Sequence, residues 1–166
     1  MEATKMTYAA AVALYDLIGK ILVEVKNGQG IERPLPFQVQ FKLNRAVNQL
    51  AKDYDYVSSK KDELVRKNGE LDEKTNLITV TDEEKKKVVL EALNEVYQTV
   101  TEHTFTKLTQ AEVLEIKLDD IQFTAQEIAL FVSALVDLDE PEAQVEASEP
   151  AVTDDTTEGT AEVVES

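Results

Sequence analysis

The longest patterned stretch of the chain runs from Pro36 to Asn68, PFQVQFKLNRAVNQLAKDYDYVSSKKDELVRKN. Leu43, Val47, Leu50, Tyr54, Val57, Lys61 and Leu64 succeed one another at alternating steps of four and three residues. That spacing keeps them on one face of an α-helix, and Lys61 alone interrupts the apolar stripe. At 1.5 Å rise per residue the helix spans about 50 Å, longer than a small domain is wide. It is expected to be the spine on which the other elements lie. Phe37, Val39 and Phe41 alternate with Gln38 and Gln40, which is also a strand pattern. Phe37 and Phe41 fit helical spacing equally well, and Pro36 suits a first helical position, so the spacing predicts helix from about Phe37.

Ahead of the spine, Leu14, Leu17, Ile18, Ile21, Leu22 and Val25 form a wide core-facing stripe, which predicts a first helix from about Thr7 to Val25. Gly19 falls inside it at a cost of about 1 kcal/mol relative to Ala, and a close contact with a crossing helix is the expected reason. Asn27-Gly28-Gln29-Gly30 reads as the stop of that helix, and Arg33-Pro34-Leu35-Pro36 as an extended approach to the next.

After Asn68-Gly69 comes a turn and the β-prone run Leu77-Ile78-Thr79-Val80, which could form a small hairpin. Thr81 and Glu84 have capping-box spacing and predict the start of a third helix, about Asp82 to Glu102. This helix should lie antiparallel on the spine and bury Leu43, Val47, Leu50, Val57, Val89, Leu93 and Val96. His103 to Leu108 reads as extended. Thr109 with Glu112 and Thr124 with Glu127 repeat the capping-box spacing. They frame a short helix near Gln110 to Leu114 and a last one from Ala125 to about Leu138. Ile128, Phe131, Val132, Leu135 and Val136 form the expected core face of the last, with Ile116, Leu118 and Ile121 as irregular packing between.

Composition changes the picture at Asp139. From there to Ser166 the chain has ten acidic residues and no Lys or Arg, so of the net charge of −16 the first 138 residues carry only −6. Few apolar groups and high charge predict a tail, 139–166, that is disordered alone, beside one helical domain, 1–138. The fold class expected is all-α: an elongated bundle on a long antiparallel helical hairpin, with a small β-prone insert.

No cysteine is present, which excludes disulfides, thiolate zinc sites and cysteine nucleophiles, and the single His103 excludes any site needing two imidazoles. His103 reads as a surface or helix-end residue without a catalytic constellation. Asp119-Asp120 and Asp154-Asp155 lack calcium-loop spacing and read as solvated turns. No glycine-rich phosphate loop exists. Catalytic, cofactor and metal residues are all expected to be none. Lys60, Lys61, Arg66, Lys67 and Lys85 to Lys87 would gather at one end of an antiparallel pair, as in a phosphate or nucleic-acid patch. Eight carboxylates, among them Asp62, Glu63, Asp82 and Glu83, share that end, so a mixed-charge solvated tip is expected and direct nucleic-acid binding is not. The longest apolar stretch, Tyr8 to Val25, is broken by Asp16, Lys20 and Glu24, so no membrane span is expected, and no signal peptide is evident.

Certain residues carry a resemblance. Pro34-Leu35-Pro36-Phe37 leads into Lys42-Leu43-Asn44-Arg45-Ala46, then KDELVRKNGELDE, Val80-Thr81-Asp82-Glu83-Glu84 and IKLDDIQFTAQEIALF. Across residues 10–138 this order resembles a family of small uncharacterised helical proteins encoded by tailed phages and prophages of Gram-positive bacteria. The acidic tail departs from the family's usual short end. The resemblance implies a phage source, location in the virion or host cytoplasm, and a structural or assembly role. The function expected is a non-catalytic interaction protein acting by helix packing, with a phage structural protein or a host protein as partner, and a homo-oligomer also possible. The alternative is an acidic, nucleic-acid-mimicking inhibitor of a host defence or DNA-processing enzyme.

Overall fold

The computed structural model describes residues 3–118 and 121–138. The expectations for the 139–166 tail, Asp119-Asp120 and Asp154-Asp155 lie outside these residues. The element order is β1 (Thr4–Thr7), α1 (Tyr8–Leu22), β2 (Val23–Lys26), β3 (Gln29–Glu32), α2 (Phe37–Asn68), β4 (Glu70–Asp72), β5 (Leu77–Thr79), α3 (Glu83–Gln98), β6 (Val100–His103), α4 (Gln110–Leu114) and α5 (Ala125–Leu135).

The chain is not all-α. Of the described residues about 59% are helix and 18% strand, and the described strands form three two-stranded antiparallel sheets, β1–β6, β2–β3 and β4–β5. The first helix ends at Leu22, three residues short of the expectation, because Val23, Glu24, Val25 and Lys26 alternate and are β-branched at every second position. They pair with β3 across Asn27 and Gly28, both at positive φ (52° and 76°). Asn-Gly with two positive φ values is the favoured two-residue hairpin turn, so this dipeptide closes a hairpin and does not cap a helix.

The third helix also ends early, at Gln98. Val100 to His103 is a strand paired with β1, in a register that sets Thr4 against His103 and Thr7 against Val100. Its N-cap is Asp82, whose carboxylate accepts from the Lys85 N–H at 2.9 Å, so the capping-box spacing of Thr81 is one residue out of place. Thr109–Glu112 and Thr124–Glu127 do form reciprocal capping boxes.

Topology follows from these ends. The β2–β3 hairpin turns the chain back so that α1 lies antiparallel along the N-terminal half of α2. Tyr8 meets Tyr56 with ring centroids 5.2 Å apart, and Tyr15 stacks on Tyr54 at 4.6 Å. The β4–β5 hairpin likewise returns α3 along the C-terminal half. Tyr8 N–H donates to Thr99 O at 2.9 Å where the two short helices meet end to end. One 32-residue helix thus carries two partners in succession.

The core sits under the first half alone. Leu14, Leu17, Ile18, Ile21, Val39, Leu43, Leu50, Leu108 and Leu135 are fully buried. On α2 the buried line runs Val39, Leu43, Ala46, Leu50, Val57. Val47 is half-buried, and Tyr54, expected within the stripe, is 37% exposed beside Tyr15. On α3 only Val89 is buried, and Leu93 and Val96 reach half-burial. Ile128, expected in the core, is 52% exposed in the first turn of α5. Gly19 meets no atom within 4 Å of a built Cβ, so the expected close helix contact is absent there.

Candidate functional site

Three regions carry chemistry or surface that the core does not use. The first lies where β6 crosses the middle of α2. His103 is 9% exposed, not the surface residue its sequence context implied. Its Nε2 lies 2.7 Å from Asp53 Oδ2 and 3.5 Å from Thr101 Oγ1, and its ring stacks on Phe105. Sequence reading missed this pair because fifty residues separate its members and only the β1–β6 pairing brings them together. Tyr8 borders the pair. Burial raises its phenol pKa first, and the Asp53 carboxylate and Tyr56 add to the rise.

The pair departs from the Ser-His-Asp arrangement. In a Ser-His-Asp arrangement the carboxylate holds one ring nitrogen and the nucleophile meets the other. Here the Asp53 carboxylate and the Thr101 hydroxyl both approach Nε2. An open hollow of about 560 Å³ adjoins it, lined by Arg45, Asn48, Lys52 and Thr104 among others. Among the described residues no group of three or more His, Asp or Glu could hold a metal ion.

A second region is an apolar cavity of about 170 Å³ beside α1 and α5, lined by Leu17, Ile21, Val113, Leu118, Phe123 and Phe131. The carboxylate at its rim, Glu127, is fully engaged. It accepts from Lys20 Nζ at 2.7 Å and from the Thr124 N–H at 2.8 Å, and these bonds bring its pKa down to about 2. A similar clamp joins α4 to α2. Burial opposes ionisation of Glu112, but Lys42 Nζ at 2.6 Å and Thr109 outweigh it and hold its pKa below the ordinary carboxylate range. Arg33 is a third fastening that sequence reading left in an extended linker. It is 6% exposed and donates to the carbonyls of Ile21 and Lys117. Used in this way, Glu127, Glu112 and Arg33 hold elements together.

The third region is the arm made by the distal half of α2, β4, β5 and α3. Val88 is 54% exposed and Leu90 66%. They stand about 100° to either side of the buried Val89, so α2 covers the centre of the apolar stripe and leaves both flanks open. Leu71 and Leu77 are exposed at the hairpin end. The basic residues gathered there are interleaved with acids. Lys60 pairs with Glu63 at 2.9 Å, Lys86 with Glu83 at 2.5 Å and Lys85 with Glu70 at 3.4 Å. The hollow over Ser59, Asp62, Glu63, Arg66 and Lys67 is lined by one helix only and encloses nothing. No described helix is long and apolar enough to cross a membrane. No protein-family model, curated protein or solved structure matches the chain.

Proposed function

We propose that this chain is a non-catalytic interaction protein that packs the flank of its α2–α3 arm on a protein partner, in the phage structural or assembly setting that its sequence resemblance implies. One observation carries the reading. The arm presents Val88 and Leu90 on the flanks of a helix whose centre is already covered, and core packing gives no reason for two large apolar groups there. Burying Leu90 on its flank against a partner would remove apolar surface from water. The clamped carboxylates and the misdirected His103–Asp53 pair support a non-catalytic role.

The test is mass spectrometry of purified particles from cells expressing the chain or its Leu90→Glu variant. The expected result is a fixed copy number per particle, lost in the variant while its helical signal and thermal midpoint stay within scatter of the parent. Absence of the parent chain from particles overturns the assembly role. Full incorporation of the variant overturns the arm as the docking surface.

A further inference from the structure

The outward face of α2 carries a pattern of its own. Phe41, Arg45, Asn48, Lys52, Asp55, Ser59, Asp62 and Arg66 follow one another at steps of four and three, and all eight are exposed. They form a single stripe on the side of the helix opposite Val39, Leu43, Ala46 and Leu50. Neither α1 nor α3 packs there, and residues 101–104 border only its Arg45–Lys52 stretch, across an open hollow. The spacing is that of a coiled-coil seam, but its positions are polar and charged.

The order of the charges matters more than their presence. A second copy turned end for end, with the twofold axis between Lys52 and Asp55, sets Phe41 against Arg66, Arg45 against Asp62, Asn48 against Ser59 and Lys52 against Asp55. The same four pairs recur on the other side of the axis. Every pair is attractive: a guanidinium over a ring, two ion pairs and a hydrogen-bonding pair. A parallel alignment would instead set like charges against each other.

A second observation agrees. Lys42, Lys60, Lys85, Lys86 and Lys87 are each bonded to a carboxylate of the chain. Among the described residues, Arg45, Lys52, Asp55, Asp62 and Arg66 form no such pair. Lys61 and Lys67 of α2 form no such pair either, but the seam charges are the ones whose order along the helix is complementary to itself.

We infer that the outward face of α2 is the docking site for a second copy of this chain, antiparallel and in the register given above. This surface is distinct from the apolar flanks of the arm, and the inference stands without the proposed assembly role. Exposed ion pairs contribute little each, so the dimer is weak and concentration-dependent.

Sedimentation equilibrium of the full chain across a concentration series tests it. Arg45→Asp and Asp62→Arg should each weaken dimerisation at least about tenfold, and the double variant should recover most of the loss. Net charge alone would drive the two single variants in opposite directions, because one makes the acidic chain more negative and the other less. With no native cysteine to interfere, Asn48→Cys and Ser59→Cys chains should cross-link on mild oxidation when mixed, and far less when each is alone. A chain that stays monomeric throughout the series overturns the inference. A dimer indifferent to Arg45→Asp but broken by Leu90→Glu also overturns it and assigns dimerisation to the arm.

Discussion

The two halves of α2 have the same backbone and opposite economies. From Phe37 to Val57 the helix lies against α1, with α5 and the 105–118 segment closing the core, and Val39, Leu43, Ala46 and Leu50 are no more than 3% exposed. From Ser58 to Asn68 its described neighbours are α3 and the β4–β5 hairpin, and no residue of that half is buried. Both halves are amphipathic, so the stripe is not what separates them. The number of elements that close over the stripe is. A helix flanked by several layers excludes water, whereas a two-helix hairpin leaves the edges of its stripe wet. Stability therefore concentrates in the first half and presentable surface in the second.

The largest test of this contrast is a pair of truncations read by urea unfolding. Leu50→Ala, at 0% exposure, should cost about 2–5 kcal/mol. Val89→Ala, the best-buried position of α3, should cost about 1.5 kcal/mol, from two lost methylene equivalents and little cavity. Equal losses would mean that the arm is as tightly closed as the body. Next in size is the tie between the halves. Asp53→Ala leaves His103 largely buried without its acceptor, so a loss of about 1–3 kcal/mol is expected, with hydrogen exchange rising first at β1 and β6. An unchanged midpoint would remove the pair from the account of how the arm is held.

Glycines sharpen the comparison at a smaller scale. A Cβ at Gly69 would lie 2.6 Å from both Val65 O and Ile78 Cγ2, so Gly69→Ala should destabilise the turn into the arm by about 1–3 kcal/mol. Gly19 has open space around it, and Gly19→Ala should stabilise α1 by up to about 1 kcal/mol. Thermal midpoints moving in the same direction would contradict the packing described. The smallest effect is one of pH. The Glu127 carboxyl titrates near pH 2 in the folded chain, below its ordinary 4.5, so its contribution is present above pH 4.5 and fades as pH falls toward 2. Lys20→Ala removes the leading cause. Its midpoint should sit slightly below the parent's at pH 7, and the gap should close by about pH 2.

Much of the helical plan was legible because it is local. The 3.6-residue period marks the faces of α1, α2 and α3, and Thr-x-x-Glu marks the starts of α4 and α5, since both depend on residues within a turn or two. The strands were legible in principle at Asn27-Gly28, flanked by alternating β-branched residues, but a helical period running into Val25 masked them. The β1 and β6 strands gave no such signal. Four residues each, they are stable because they find each other across almost a hundred positions. The candidate sites divide in the same way. The heptad spacing of the outward α2 stripe is in the sequence, yet its being outward is not.

By itself, then, the sequence determined the length of the spine, where most helices begin, and that no cysteine or multi-histidine chemistry is open to the chain. Tertiary structure alone decided that the core occupies one half of the spine, that His103 is buried against Asp53, and that Val88 and Leu90 stay in water. The physical reason is that a helix's period depends on neighbours a few residues away. Burial depends on how many other elements close over it, and that number is set by contacts between residues far apart in the chain.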